Sequence, residues 1–314
     1  MRTITISAAL SAGLMAGPAM AADQLNWIGR YNQPPPYDVV VGGKAAITAT
    51  VPIGVCRAVV NTPGDKYPGA IGFANSQCSV NFGGIGKPYS TYEALVPAQK
   101  SASGGTIPTN ATNKGAHGAR LGVPLYFCRA DLGGGKGVQL GSLAPGSSGC
   151  LIPYGGTTLT ASSYDVLVDL SPRLPLTTAN VSNGGDIPVD ALVGGKDTDG
   201  QTLYYCQASY NGAVVPGKTN ANFKSCDIPW GSSEIYVASY QVLRPLWKDT
   251  AQAASTFPAY TYTNGVTKIH ICHATPPAGP SYLTLPGRYS PSSDSKCNLS
   301  NGSAADKPFE ILSE

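Results

Sequence analysis

Charge is scarce in this chain: Asp, Glu, Lys and Arg together make up 12% of its 314 residues, about half the usual share. The net charge of +3 is small and the basic residues are scattered, so the chain lacks the concentrated basic face that nucleic acid demands. Histidine is scarcer still, with three in all, His117, His270 and His273. His270 and His273 are three apart, which in a strand places them on opposite faces and argues against shared metal ligation. The chain has no Cys-x-x-Cys and no Gly-x-Ser-x-Gly, so neither a closely spaced zinc site nor a nucleophile elbow is expected. Gly133-Gly134-Gly135-Lys136-Gly137 lacks the spacing and the Ser or Thr of a phosphate-binding loop. An enzyme is therefore not expected, nor a cofactor or a metal. After the first residues no apolar run is long enough to span a bilayer as a helix.

Glycine and proline are plentiful, with 38 Gly and 26 Pro, and they interrupt the chain too often for long helices. Short strands joined by turns remain. The 17 Tyr against 6 Phe favour a polar, hydrogen-bonding surface. Residues 1–22 begin with Met1-Arg2-Thr3, continue through the apolar run from Ile4 to Leu14, and end on Ala19-Met20-Ala21. That is the pattern of a cleaved signal peptide, so a secreted or periplasmic protein is expected.

A repeat emerges when the eight cysteines are used as anchors. The first of each pair sits in Val55-Cys56-Arg57-Ala58, Phe127-Cys128-Arg129-Ala130, Tyr205-Cys206-Gln207-Ala208 and Ile271-Cys272-His273-Ala274. The shared pattern is apolar, Cys, polar, Ala. The second opens Cys78-Ser79-Val80, Cys150-Leu151-Ile152, Cys226-Asp227-Ile228 and Cys297-Asn298-Leu299, each with Gly five places on. Each copy closes on an aromatic residue with Leu three later: Tyr92 and Leu95, Tyr164 and Leu167, Tyr240 and Leu243, Phe309 and Leu312. Three copies open on a Pro followed seven residues later by Gly, at Pro36, Pro108 and Pro188; the fourth lacks this entry and reads as truncated.

The expected organisation is a signal peptide at 1–22, copies at 23–97, 98–170 and 186–245, and a truncated copy at 256–314. The segments Ala98 to Thr106 and Ser171 to Gly185, rich in Ser, Thr, Asn and Gly, read as loops or linkers. The cysteine spacings of 22, 22, 20 and 25 residues favour one disulfide per copy: Cys56 with Cys78, Cys128 with Cys150, Cys206 with Cys226, and Cys272 with Cys297. Pairing between adjacent copies is the alternative. The fold class is all-β, a disulfide-stapled tandem array packed as one or two sandwich-like units.

The third copy carries Ile187-Pro188, Ala191-Leu192-Val193-Gly194-Gly195-Lys196-Asp197-Thr198-Asp199-Gly200, Leu203-Tyr204-Tyr205, Val215-Pro216-Gly217-Lys218, Ile228-Pro229-Trp230-Gly231 with Glu234, and Tyr240-Gln241-Val242-Leu243. This series closely resembles the DM9 repeat, the DUF3421 family. The resemblance implies β-rich tandem repeats that pack together and, for some members, recognition of mannose-type sugars. It implies that Asp197 and Lys218 contact the sugar. The paired cysteines depart from the family's pattern.

Ala45 and His117 stand at the position of Asp197 in copies one and two; Ala70, Ser142 and Arg288 stand at that of Lys218; Gly86, Thr158 and Ala305 stand at that of Glu234. The trio Asp197, Lys218 and Glu234 is thus confined to copy three and forms the expected ligand site, with glycans as the expected partner. Tyr204 and Trp230 are candidates to stack on a sugar face. The competing reading makes Asp197 and Lys218 ordinary turn residues of a structural or adhesive surface protein.

Overall fold

The computed structural model describes residues 26–45, 51–60, 66–82, 85–113, 115–118, 123–168, 176–249, 260–261, 268–274, 285–289, 296–299, 304–305 and 310–312. The segment read as a signal peptide lies outside them. The described residues form strands and turns without a helix, and none offers a helix long and apolar enough to cross a membrane.

Every copy has one strand order. In the third, Leu176–Val181, Tyr240–Pro245, Thr202–Tyr210, Ala213–Thr219, Cys226–Trp230 and Ser233–Val237 lie side by side, with Val193–Lys196 paired to Thr202–Tyr210 off that path. The neighbours are antiparallel. The fourth copy, expected to be truncated, has the same series, from Trp247–Asp249 and Glu310–Leu312 through Lys268–Ala274, Leu285–Tyr289 and Cys297–Leu299 to Ala304–Ala305. Tyr260–Thr261 pairs with its cysteine strand where an entry segment would. Pro258 and Gly265, seven apart, do precede that cysteine strand in the sequence, but closer to Cys272 than the equivalent pairs stand to the first cysteine of the other copies.

The two segments read as linkers also hold strands, Gln99–Ser103 and Leu176–Val181. Each runs antiparallel to the closing strand of the copy that follows it in sequence. The third copy accordingly begins at 176 and the fourth at 247, ahead of the boundaries expected at 186 and 256. Gln99–Ser103 and Leu176–Val181 are the two outermost strands of one sheet, where one face meets solvent and polar residues are tolerated. Composition alone cannot tell such a strand from a loop.

The repeated motifs follow from strand alternation. The apolar residue before the first cysteine faces another copy: Phe127 and Tyr205 meet edge to face at 5.9 Å, in a core with Leu167 and Leu243. In the first three copies the cysteine and the following Ala turn the other way, into a second core built mainly from that copy's own residues and here called private. The closing aromatic joins that private core, and the Leu three places on, an odd step, returns to the shared one. The first and fourth copies share a core in the same manner through Val55, Leu95 and Ile271. The copies therefore pair as second with third and first with fourth.

The tyrosine excess serves these cores more than a polar surface. Tyr92 and Tyr164 are buried, and their hydroxyls donate to the carbonyls of Gln33 and Thr106 at 2.6 and 3.0 Å. The polar slot after the first cysteine is a cross-strand position. Arg57 pairs with Glu93, Arg129 with Asp165, and Gln207 donates to Gln241. Arg129 also bonds Asp38 at 2.9 Å and the carbonyl of Gly194 at 3.1 Å, tying the first copy to the second and third.

All four disulfides join cysteines within one copy, and no described cysteine is free. Each bridges two strands that flank a third. Replacing Cys206 and Cys226 together by Ala removes a link across 20 residues, for which chain entropy gives about 3 kcal/mol. Urea unfolding should show a fall of that order; a loss below about 1 kcal/mol would mean that the private core holds the strands without the link.

Candidate functional site

The second and third copies are related by a local pseudo-twofold. Thr157 and Ser233, both seven residues past the second cysteine of their copies, pair with each other across the join. The amide of Thr158 donates to Ser232 and that of Glu234 to Gly156, at 2.9 and 3.3 Å. Val138 pairs with Lys196 near one end, and Val214 with His117 near the other. The isolated loop histidine is thus a backbone partner in this join.

A cleft of about 350 Å³ opens beside the join, lined by Tyr154 and Gly155 from the second copy and by Asp197, Lys218, Phe223, Ser225, Asp227, Glu234 and Tyr236 from the third. All three residues singled out in the sequence line it. Tyr204 and Trp230 do not. Tyr204 packs on the private core, and Trp230 meets Tyr210 edge to face at 5.2 Å.

Lys218 lies between Tyr205 and Asp227 in register, so strand pairing turns it toward the second copy. Its side chain is 4% exposed and that of Glu234 3%, with Nζ 3.9 Å from Glu234 Oε1. Nζ donates to Gln139 Oε1 at 2.7 Å and stands 5.2 Å from the centre of the Tyr154 ring. Burial pushes the Lys218 ammonium below the ordinary lysine range, against the pull of Glu234, Asp197 and Asp227.

Glu234 Oε2 accepts the amide of Gly156 at 2.6 Å and the hydroxyl of Tyr236 at 3.0 Å. It holds the join and orients Lys218. Asp197 closes a turn, where its Oδ1 accepts the amide of Thr198 at 2.8 Å, and it also takes Gln139 Nε2 at 3.1 Å. Gln139 therefore bridges Lys218 and Asp197 from the neighbouring copy. Asp227, 3% exposed, accepts the hydroxyl of Ser225 at 2.7 Å on Oδ1. Burial pushes its carboxyl up to about 7, Glu234 adds to the rise, and Ser225 and Lys218 oppose it.

Asp227, Gln139, Tyr154 and Tyr236 were not singled out from the sequence. Asp227 could have been, because one place past the second cysteine the other copies carry Ser79, Leu151 and Asn298. Gln139 and Tyr154 face the site by virtue of copy pairing, which no single copy encodes, whereas Tyr236 lies two places past Glu234 on the third copy's own strand Ser233–Val237. The symmetry-related side of the pair places Ser142, Leu151 and Thr158 where Lys218, Asp227 and Glu234 stand. That substitution explains why one side alone is charged.

Fold and site together define a tandem β-repeat protein with a charged cleft between two copies. Residues 120–237 match the family model of the DM9 repeat, in agreement with the resemblance seen in the third copy. The match spans the residues of both copies that build the cleft. A comparison with curated proteins finds no match. Among solved structures, the crystal structure of the nematode sperm cell motility protein MFP2B is similar over 92% of this chain and 94% of that one, at 12% identity and a TM-score of 0.18, values too low to carry an argument.

Proposed function

We propose that this is an exported, lectin-like protein that binds mannose-type or related glycans in the cleft between its second and third copies, without chemical turnover. The observation that carries the reading is the pairing of Lys218, a donor, with the acceptor carboxylates of Asp197 and Asp227 in a cleft flanked by tyrosines. Adjacent sugar hydroxyls both donate and accept, so a site with both kinds of charged partner recognises them in pairs. Tyr236 is 61% exposed and offers a ring face to the apolar side of a sugar. Glu234 is already occupied by Gly156 and Tyr236, which favours a positioning role over acid–base chemistry. The disulfides are consistent with an oxidising, extracellular or periplasmic setting.

Isothermal titration with mannose oligosaccharides tests the reading. Lys218→Met keeps the stem and removes the donor, and should weaken binding about 100-fold, or about 2.7 kcal/mol. Tyr31→Ala removes a tyrosine that is 73% exposed in the first copy and should leave affinity unchanged. Binding that survives Lys218→Met but is lost with Tyr31→Ala would place adhesion on the surface of the first copy instead.

A further inference from the structure

The charges in the cleft do not balance. Asp197, Asp227 and Glu234 line it against one lining ammonium, Lys218. Lys136 lies 5.7 Å from the centre of the Tyr154 ring but is not among the lining residues. Two carboxylate oxygens also remain open. Asp227 Oδ1 is taken by Ser225, while Oδ2, on a residue 3% exposed, receives no hydrogen bond from the described residues. Asp197 spends Oδ1 on Gln139 and Thr198 and leaves Oδ2 likewise open.

A neutral sugar would leave this imbalance in place, and a buried carboxylate without a cation is costly. A metal ion is a poor fit, since no cluster of three or more His, Cys, Asp or Glu among the described residues could hold one. The missing charge is better supplied by an organic cation that also carries hydroxyls for Lys218. Burial is the main cause of the upward push on the Asp227 carboxyl, and the nearby Glu234 and Asp197 add to it against Ser225 and Lys218.

We propose that the preferred ligand of this cleft is an amino sugar with a free amine, such as a glucosamine unit, its ammonium received by Asp227 and its hydroxyls by Lys218 and Asp197. This rests on the glycan-binding reading and narrows it. An ammonium on a carboxylate makes a charge-assisted hydrogen bond, stronger than a hydroxyl can offer. Binding of the cation favours the ionised carboxylate, so a proton leaves Asp227 as the ligand arrives.

The test is calorimetric titration at about pH 6 with the disaccharides of glucosamine, N-acetylglucosamine and mannose, on wild type and Asp227→Asn. Glucosamine should bind at least about 10-fold more tightly than either neutral sugar. That ratio should fall toward one in Asp227→Asn. Titrations in buffers of different ionisation enthalpy should show proton release for glucosamine with wild type and little with the variant. Equal affinity for glucosamine and N-acetylglucosamine, or for glucosamine and mannose, overturns the charge preference and leaves the glycan reading standing. If none of the three binds, the glycan reading itself fails.

Discussion

Gly217→Ala should destabilise the third copy by about 3 kcal/mol or more, at or beyond the upper end of what an added group in a packed core costs. A methyl at Gly217 would press into the carbonyl oxygen of Asp227, well inside van der Waals contact, and would meet the Ile228 side chain at 2.9 Å. The strands cannot easily part, because Cys206 stands opposite Gly217 in register and is tied to Cys226 on the next strand. Gly69 and Gly141 occupy the same place opposite Cys56 and Cys128, and a methyl on either would strike the carbonyl of Ser79 or Leu151. Gly29 provides the control, since its Cβ would meet nothing within 4 Å. Gly29→Ala should shift urea unfolding by no more than about 0.5 kcal/mol. Equal stabilities for the two variants would show that the glycine opposite the cysteine is not needed for close strand approach.

That glycine shows what repetition makes readable. The sequence motif Pro-Gly-Lys in the third copy stands out as a turn, yet Pro216, Gly217 and Lys218 lie within the strand Ala213–Thr219. Glycine there permits close approach of the next strand, with no bend required. The cysteine pairs and the aromatic-x-x-Leu endings were legible because the first three copies use them to fill the same two kinds of core. The first strands of the third and fourth copies were not, because a polar edge strand is specified by its partner more than by its own residues.

The site divides along the same line. Asp197, Lys218 and Glu234 were visible as departures of one copy from the others. Gln139 and Tyr154 belong to the second copy and look unremarked there; only the pseudo-twofold join at Thr157 and Ser233 carries them to Lys218. Comparing copies finds what one copy adds, and cannot find what a neighbour lends. Asp227 is a departure of the same kind, standing beside a disulfide cysteine where the other copies carry Ser79, Leu151 and Asn298.

Asp227 also gives the protein a pH-dependent stability with a definite sign. Its carboxyl is pushed up to about 7 in the folded protein, above the ordinary carboxylate range it would show unfolded. A raised pKa contributes stability that is fully present below the unfolded value and is lost as pH rises through the folded one. For a group this buried the loss between about pH 4 and pH 8 is on the order of 4 kcal/mol. Asp227→Asn keeps an oxygen to accept the Ser225 hydroxyl and cannot ionise. The variant should match wild type at about pH 4 and exceed it by on the order of 3 to 4 kcal/mol at about pH 8. Urea midpoints for both proteins across that range measure the difference directly, with other carboxylates cancelling between them. Parallel profiles would mean that Lys218 already neutralises Asp227 in the folded state, and the cleft would then have no charge left for a cationic ligand to satisfy.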